Sequence, residues 1–467
     1  MNKLIISIIT VLIIATGIGA FFVFQKSAFP LPSEQPTKTS KSQQQIGQDS
    51  PFGIFNPYTE TIVVDRMNIS RSKINQYLSD LGVKWVQEMP VPNSTNIESV
   101  LQNIKVYSRL VAMEGGNQPP NVSDEYKKAA RDIVRRYKDR VKIWEVDTEP
   151  NAFWGTYPKE YTKFLQTTYK IIKDECSDCK VVLGGLSSFG YWNIIEAGDW
   201  KKVNQGDPNP PTNDIRNPAR FLKAILENGA KGYFDIFEFK QHHARAEDYK
   251  LLKNRIEVFG KILSNYGINV KEMPIYLETA MYDGGQPAYF PSHPIANLLS
   301  YQTEIQQAAA LLKTYVYSLV QGIDKIFWMY VIERKPNYQV FSQYGFIHDN
   351  GSKKLSYYTY KKMVEILEGS DWNNVQIVQE SDGIYIYKFT KSGKNIWVVW
   401  NDNSAEKQIT ISGIDSSQAK IIQAVPKYES GKEVTDYNTA FDTETKTAQN
   451  NKISITLGDA PVFVEEK

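Results

Sequence analysis

Short apolar runs alternate with longer amphipathic stretches from residue 52 to about residue 369. This alternation is typical of βα units around a parallel sheet. Eight runs have the length of strands, namely Phe52–Asn56, Val83–Met89, Ser108–Glu114, Val141–Thr148, Lys180–Leu186, Tyr233–Phe239, Pro274–Glu278 and Lys325–Val331. No phosphate-binding glycine turn follows the first of them, so the pattern favours a closed (β/α)8 TIM barrel, an α/β fold over residues 51–369, rather than an open doubly wound sheet.

Amphipathic stretches separate most of these strands and have the period of helices. They include Ser72–Leu81, Ser123–Tyr137, Pro218–Asn228, Tyr249–Tyr266 and Thr303–Val320. Glycine follows several of them, which is a common helix stop.

The pattern changes at residue 370 to short strands with alternating apolar positions. The runs are Ile384–Phe389, Ile396–Trp400, Gln408–Ile411, Lys420–Ala424, Ile453–Leu457 and Val462–Val464. Many short strands separated by turns predict a small C-terminal β-sandwich over residues 370–467, and we expect it to pack on the barrel.

The N-terminal stretch Leu4–Phe24 carries no charged residue and follows Lys3. As a helix it would span about 30 Å, the thickness of a bilayer core. Residues 1–26 are therefore predicted to be an N-terminal transmembrane helix, with a cleaved signal segment as the alternative. Residues 27–50, rich in Pro, Ser, Thr and Gln, are predicted to be a flexible linker. The rest of the chain is then expected outside the cytoplasm, anchored to the cell membrane in a single pass or secreted if the segment is cleaved.

Charge and cysteine content narrow the class of protein. The 54 Lys and Arg residues nearly balance the 52 Asp and Glu residues, and a net charge of +2 does not favour nucleic acid as a partner. The two cysteines, Cys176 and Cys179, are too few for a zinc site, and they precede a strand rather than open a helix as in a redox motif. We expect a local disulfide, which requires an oxidising compartment.

Two glutamates lie at the ends of predicted strands. Glu149 follows the fourth strand and precedes Pro150, and Glu278 ends the seventh. The catalytic site of a barrel lies at the carboxyl ends of its strands, so the two side chains are expected to face each other. A pair of carboxyl groups is what glycoside hydrolysis requires. The sequence shows no cluster of metal ligands and implies no cofactor.

The same segments resemble a known group of enzymes, the clan A glycoside hydrolases, and most of all family 39 and its relatives. Trp144–Trp154 resembles the strand-four motif of the clan, Ile275–Thr279 the strand-seven motif, and Lys325–Trp328 strand eight. The resemblance covers roughly residues 52–368. It implies that Glu149 is the acid/base and Glu278 the nucleophile.

The resemblance also implies residues that bind the sugar. Trp328 would form the floor of a sugar subsite, with core packing as the alternative. Either His242 or His243 would face the site. Independently of the resemblance, Tyr282 lies four residues after Glu278 and is expected to hydrogen-bond the nucleophile, with packing in its loop as the alternative. Thr148 departs from the clan, which usually has Asn before the acid/base to contact the 2-hydroxyl of the sugar.

The sequence therefore predicts a retaining glycoside hydrolase that acts on a β-linked glycoside or polysaccharide by double displacement. Because Thr148 lacks the paired donors of an amide, the alternative is a catalytically inactive barrel that binds glycans at the cell surface. No protein partner is evident from the sequence.

Overall fold

The structure, a computed structural model, describes the chain at residues 49–58, 69–89, 96–111, 122–187, 217–243, 246–281, 302–333 and 343–467. Within these ranges no helix is both long and apolar enough to cross a membrane. The transmembrane segment predicted at Leu4–Phe24 lies outside the described residues.

Eight parallel strands form a barrel, as the sequence predicts. They are β1 Phe52–Phe55, β2 Trp85–Glu88, β3 Lys105–Leu110, β4 Val141–Val146, β5 Lys180–Leu183, β6 Phe237–His243, β7 Ile275–Met281 and β8 Lys325–Trp328. Their hydrogen-bonded order is β5-β4-β3-β2-β1-β8-β7-β6. Single bridges from Val182 to Ile236 and from Leu186 to Phe239 join β5 to β6, so the ring closes.

Helices surround the barrel, and their ends follow from local sequence. The described α-helices are α1 Arg71–Leu81, α2 Asn96–Ser99, α3 Asp124–Tyr137, α4 Pro150–Phe153, α5 Pro158–Glu175, α6 Pro218–Glu227, α7 Leu251–Asn265, α8 Glu304–Val320 and α9 Leu355–Leu367. Ser70 caps the start of α1, and Gly82, in the left-handed conformation with φ 71°, ends it. Thr303 and Gln306 form a capping box at the start of α8.

The interior of the barrel has an apolar layer and a polar layer. An apolar cluster includes Trp85, Tyr107, Ile143, Val182, Ile236, Tyr276 and Phe327. Side chains of a strand alternate between its two faces, so the next inward positions toward the carboxyl end lie two and four residues after each residue of this cluster. These positions hold buried polar side chains, namely Gln87, Arg109, Glu145, Glu238, Lys240 and Glu278. The interior of the barrel is therefore packed with apolar side chains toward the amino ends of the strands and with polar and charged side chains toward their carboxyl ends.

Three strands, β3, β6 and β7, differ most from the sequence prediction, and β7 continues past Glu278 to Met281. The sixth strand was expected at Tyr233–Phe239, but β6 runs from Phe237 to His243 and pairs residue by residue with β7. The apolar pattern stops at Phe239 because the inward positions beyond it are polar, although the backbone ladder continues. The third strand begins at Lys105, whose exposed side chain pairs with Asp49 and interrupts the apolar pattern there.

An antiparallel β-module follows the barrel and has two sheets. Its strands are β9 Gln376–Ser381, β10 Ile384–Lys391, β11 Lys394–Asn401, β12 Lys407–Ser412, β13 Gln418–Gln423, β14 Thr443–Thr447, β15 Lys452–Leu457 and β16 Val462–Glu466. Six of them form one sheet in the order β14-β13-β16-β11-β10-β9, and β12 pairs with β15. Trp397 and Val399 pack against Ile411 and Ile455 between the sheets, which confirms the predicted sandwich.

The other face of the six-stranded sheet packs on the barrel. Tyr387, Phe389 and Trp400 belong to the same buried cluster as the helices of the barrel. Asp402 adds polar contacts, because it accepts hydrogen bonds from Tyr249 at 2.6 Å and from Lys313 at 2.8 Å. The expected packing of the module on the barrel is thus confirmed.

The two cysteines form the expected local disulfide. Cys176 follows α5 and Cys179 precedes β5, and their sulfur atoms are bonded. The bond closes the short loop between these two elements.

A partly buried ionic cluster joins α8, the segment after β8 and the β-module. The His348 ring contacts Glu304 at 3.2 Å and Glu333 at 3.0 Å, and Glu304 also accepts hydrogen bonds from Ser430 and from the Gly431 N–H. Burial alone would lower the pKa of His348, but the two carboxylates outweigh it and raise the pKa to about 9. His348 is therefore a cation at neutral pH.

This shift predicts a loss of stability at alkaline pH. A histidine whose pKa is raised by folding stabilises the folded state fully below its ordinary value of 6.5, and the contribution is lost as pH rises to about 9. We expect the difference in Tm between the wild type and His348→Gln to shrink over this interval, as measured by thermal unfolding at a series of pH values. A difference that stays constant across the interval would contradict the assignment.

Candidate active site

Glu149 is presented by a strained turn at the end of β4. Asp147 and Glu149 both have left-handed backbone conformations, with φ 63° and 47°. Such conformations are unfavourable for residues other than glycine and persist only where the surroundings hold them. The Asp147 carboxyl accepts hydrogen bonds from the Thr148 N–H at 2.8 Å and from the Trp154 indole at 2.7 Å. The Glu149 N–H donates to the Gly185 carbonyl at 3.0 Å, which ties the turn to the end of β5.

Glu278 lies at an inward position of β7 and is fully buried. The Lys240 ammonium is 2.6 Å from its Oε2, and the His242 Nε2 is 3.6 Å from its Oε1. Burial alone would raise the pKa of Glu278, but the Lys240 ammonium and the His242 ring outweigh it, so the pKa lies below its ordinary value. Glu278 is thus held as a carboxylate.

Lys240 contacts both glutamates. Its ammonium is 2.6 Å from Glu278 Oε2 and 3.6 Å from Glu149 Oε1. These two carboxylate oxygens therefore lie within about 6 Å of each other, which is a separation seen between paired catalytic carboxyls. The Glu149 side chain is 24% exposed and the Glu278 side chain 0%, so one carboxyl faces solvent and the other is enclosed.

A second ion pair supports this layer from β3 and β4. Arg109 Nε lies 2.6 Å from Glu145 Oε2, and both side chains are buried. Glu145 also accepts hydrogen bonds from the Gln87 amide at 2.6 Å and from the Gly185 N–H at 3.0 Å. Glycine at 185 leaves space for the layer, because a Cβ there would lie 3.1 Å from Glu238 Oε1 and 3.2 Å from Lys240 Cε.

Glu238 lies between these charges and is fully buried in the same layer. Burial, together with the charges of Glu145 and Glu278, raises the pKa of Glu238 well above its ordinary value. The Tyr107 hydroxyl forms a short hydrogen bond with it. The ion pairs of this layer join Arg109 to Glu145, and Lys240 to Glu278 and Glu149.

The structure brings together most of the site residues expected from the sequence. His242 faces Glu278, whereas His243 points outward and its Nε2 lies 3.1 Å from Thr279 Oγ1. Burial lowers the pKa of His243 to about 3, so this ring is neutral. The Thr148 Oγ1 is buried without a hydrogen-bond partner among the described residues. Tyr282 lies outside the described residues.

Trp328 does not reach the two carboxylates. Its side chain has no exposed surface and belongs to the layer between the barrel and the helices, where it stacks on Phe346 at 5.8 Å. Its indole donates to the Tyr344 carbonyl at 3.0 Å. The neighbouring Phe327 pairs with Glu278 across the strands and points inward. The expected sugar platform is therefore corrected to the alternative, a core residue.

This placement predicts that Trp328→Phe affects stability rather than substrate binding. Loss of the indole hydrogen bond and of packed volume is expected to cost about 1–3 kcal/mol of the free energy of unfolding. We expect KM to stay within about twofold, since the ring is screened from any ligand by the barrel wall. Denaturant unfolding and steady-state kinetics measure the two effects, and a large rise in KM at unchanged stability would contradict the core assignment.

Two features of the site were not predicted from the sequence. Lys240 is the first, because it follows the apolar run Tyr233–Phe239 and the local sequence gives it no role. Phe153 is the second: its side chain is 60% exposed although it is large and apolar. The Phe153 N–H donates to the Glu149 carbonyl one helical turn earlier, so the ring lies on the turn that carries Glu149. The segment Ala152-Phe153-Trp154 gave no signal as to which ring would be buried.

Among the described residues, the one group of side chains with the geometry of metal ligands is Cys176, Asp178 and Cys179, which lies in the disulfide loop.

Comparison with known proteins finds relatives by structure alone. No protein-family model and no curated protein matches the sequence. A family 39 glycoside hydrolase from the gut symbiont Bacteroides cellulosilyticus has a TM-score of 0.61 at 14% identity, over 89% of this chain and 81% of that one.

Two further solved structures are similar over almost their whole length. A glucosidase from Croceicoccus marinus has a TM-score of 0.59 at 11% identity, over 90% of this chain and 96% of that one. A 4-O-α-L-rhamnosyl-β-D-glucuronidase from Fusarium oxysporum has a TM-score of 0.57 at 13% identity, over 92% of this chain and 99% of that one. The chain therefore shares the fold of clan A glycoside hydrolases, which confirms the resemblance at the level of the fold.

Proposed function

We propose that the protein is a retaining glycoside hydrolase that acts on a β-linked glycoside or polysaccharide. One observation carries the proposal: Glu149, in the turn after β4, and Glu278, at an inward position of β7, both contact Lys240. Retaining enzymes have their carboxyls about 5–5.5 Å apart and inverting enzymes about 6.5–9.5 Å. A separation of the contacting oxygens within about 6 Å favours retention.

The two environments suit two roles. Glu278 is enclosed and ionised, as a nucleophile must be, and attacks the anomeric carbon. Glu149 is partly exposed and, when protonated, donates its proton to the departing oxygen. Water enters on the side of Glu149, loses a proton to it and releases the sugar from Glu278. Neither step needs a cofactor.

Several side chains are placed to bind the sugar. The Thr148 hydroxyl, which has no hydrogen-bond partner among the described residues, and the His242 ring beside Glu278 would contact substituents of the sugar ring. We also propose Tyr282 as a contact. The exposed Phe153 ring would pack against the leaving group, which the acid/base must also reach. Apolar sugar faces stack on such rings.

We further propose that the barrel acts outside the cytoplasm, held to the membrane by Leu4–Phe24. The Cys176–Cys179 disulfide supports an oxidising compartment. If the segment is cleaved, the protein is secreted instead.

The test is hydrolysis of a panel of aryl β-glycosides and β-linked polysaccharides by the purified full chain, with the first product followed by proton NMR. We expect initial release of the β-anomer, which then mutarotates. Initial release of the α-anomer would contradict retention. Glycan binding without turnover on any substrate would instead establish the inactive glycan-binding barrel.

A further inference from the structure

Lys240 is a buried cation between the two proposed catalytic groups. Its side chain is 3% exposed, and its ammonium lies 4.9 Å from the centre of the Phe55 ring in addition to its two carboxylate contacts. A buried ammonium is costly unless it is paired with a negative charge. The Lys240 ammonium therefore needs a negatively charged partner at each stage of a reaction.

The other charged groups around Lys240 do not supply that counter-ion. Glu145, on β4, pairs with Arg109, on β3, at 2.6 Å. Glu238, on β6, accepts a hydrogen bond from the Tyr107 hydroxyl, and burial raises its pKa well above the ordinary value. The Nε2 of His242, also on β6, lies 3.6 Å from Oε1 of Glu278, the carboxylate oxygen that Lys240 does not contact. Glu278 on β7 and Glu149 after β4 remain as the partners of Lys240.

Double displacement moves a negative charge between these two partners. At the start Glu278 is ionised and Glu149 carries a proton. When a Glu278 oxygen bonds to the anomeric carbon, the bond from that carbon to the departing oxygen breaks. The departing oxygen keeps the electron pair of that bond and takes the proton from Glu149. Glu278 is then a neutral ester and Glu149 a carboxylate. The second step reverses the transfer, and the sum of the two charges is constant throughout.

We infer that Lys240 is the shared counter-ion of this charge transfer, paired with Glu278 before the first step and with Glu149 in the glycosyl-enzyme. Contacts of 2.6 and 3.6 Å allow the exchange through small movements of one side chain. The buried cation never loses its partner, so the intermediate is not penalised by an unpaired charge. The inference rests on the proposed function and assigns Lys240 as a positioning residue.

The first experiment is the pH profile of kcat/KM for Lys240→Met in the full chain. Without the ammonium, protonation of Glu278 becomes easier, and the acidic limb is expected to move up by about one pH unit or more. Lys240→Arg keeps a cation and should restore most of the wild-type limb. A uniform loss of rate with an unmoved limb would overturn the inference, because that is the result of a purely structural role.

Lys313→Met is the matched control for loss of a buried lysine. Lys313 pairs with Asp402 at 2.8 Å at the β-module, away from the carboxylates. We expect this variant to lose stability while the pH profile stays that of the wild type.

The second experiment does not depend on activity. Glu149→Gln, Glu278→Gln and the double variant are compared by thermal unfolding of the full chain. If the two carboxylates share Lys240, either single variant leaves it one partner and the double variant leaves none. The loss of Tm in the double variant is then larger than the sum of the single losses. Additive losses would overturn the sharing, whether or not any substrate is hydrolysed, whereas failure of hydrolysis alone would reject only the proposed function.

Discussion

Glu278→Gln is expected to lower kcat by about four orders of magnitude or more on every substrate that the wild type hydrolyses. The amide has nearly the same shape as the carboxylate but cannot form the covalent bond to the anomeric carbon. Glu278 is fully buried, and its Oε2 lies 2.6 Å from the Lys240 ammonium, which holds the carboxylate in place. Steady-state rates measure the effect.

The leaving group separates the role of Glu149 from that of Glu278. A poor leaving group needs the proton of an acid, so Glu149→Gln should lose about 10²–10⁴-fold on alkyl or sugar leaving groups. An activated dinitrophenyl leaving group needs no proton, so the glycosyl-enzyme should still form in Glu149→Gln. Its hydrolysis should become slow, because the variant lacks the base that activates water. Added azide should restore turnover in Glu149→Gly and yield the β-glycosyl azide, since azide needs no base.

Two exposed glutamates serve as controls for these variants. Glu160 on α5 and Glu272 before β7 lie outside the barrel interior. Glu160→Gln and Glu272→Gln should keep wild-type rates. An active Glu278→Gln variant, or loss of activity in either control, would contradict the assignment of the carboxylate pair.

The sequence could predict the carboxylates because their signals are local. Glu149 follows an apolar strand and precedes Pro150, and Glu278 ends an apolar strand, so each lies at the functional edge of a barrel whatever the rest of the chain does. The helix caps and the β-module follow from local patterns in the same way.

The contacts of Lys240 and Trp328 depend on information that the local sequence does not contain. Lys240 meets partners from β4 and β7 that are distant in sequence. In β8 both Phe327 and Trp328 are large and apolar, so the pattern does not say which one points inward. A shift of one residue exchanges the faces, and only the pairing of Phe327 with Glu278 fixes the register. The family resemblance favoured Trp328 as the floor of a sugar subsite, but its indole is buried between the barrel and the helices.

Arg109→Met is expected to cost about 3–5 kcal/mol of the free energy of unfolding, the largest effect on stability that we predict. The variant removes the cation from Glu145, which then stays in the barrel as a buried carboxylate without a partner of opposite charge at 2.6 Å. The Gln87 and Gly185 donors remain but carry no net charge. Denaturant unfolding with linear extrapolation measures the loss.

A second substitution tests whether the cost comes from the uncompensated charge. Glu145→Gln in the Arg109→Met background removes that charge while its single amide oxygen can still accept from one of the two donors, Gln87 or Gly185, so part of the stability should return. Arg135→Met is the surface control: Arg135 pairs with Glu175 but is 57% exposed, and its loss should cost about 1 kcal/mol or less. If Arg109→Met lost no more free energy of unfolding than this control, the Arg109–Glu145 pair would not stabilise the polar layer beneath the two glutamates. The pairing of charges that we assign to this layer would then be wrong.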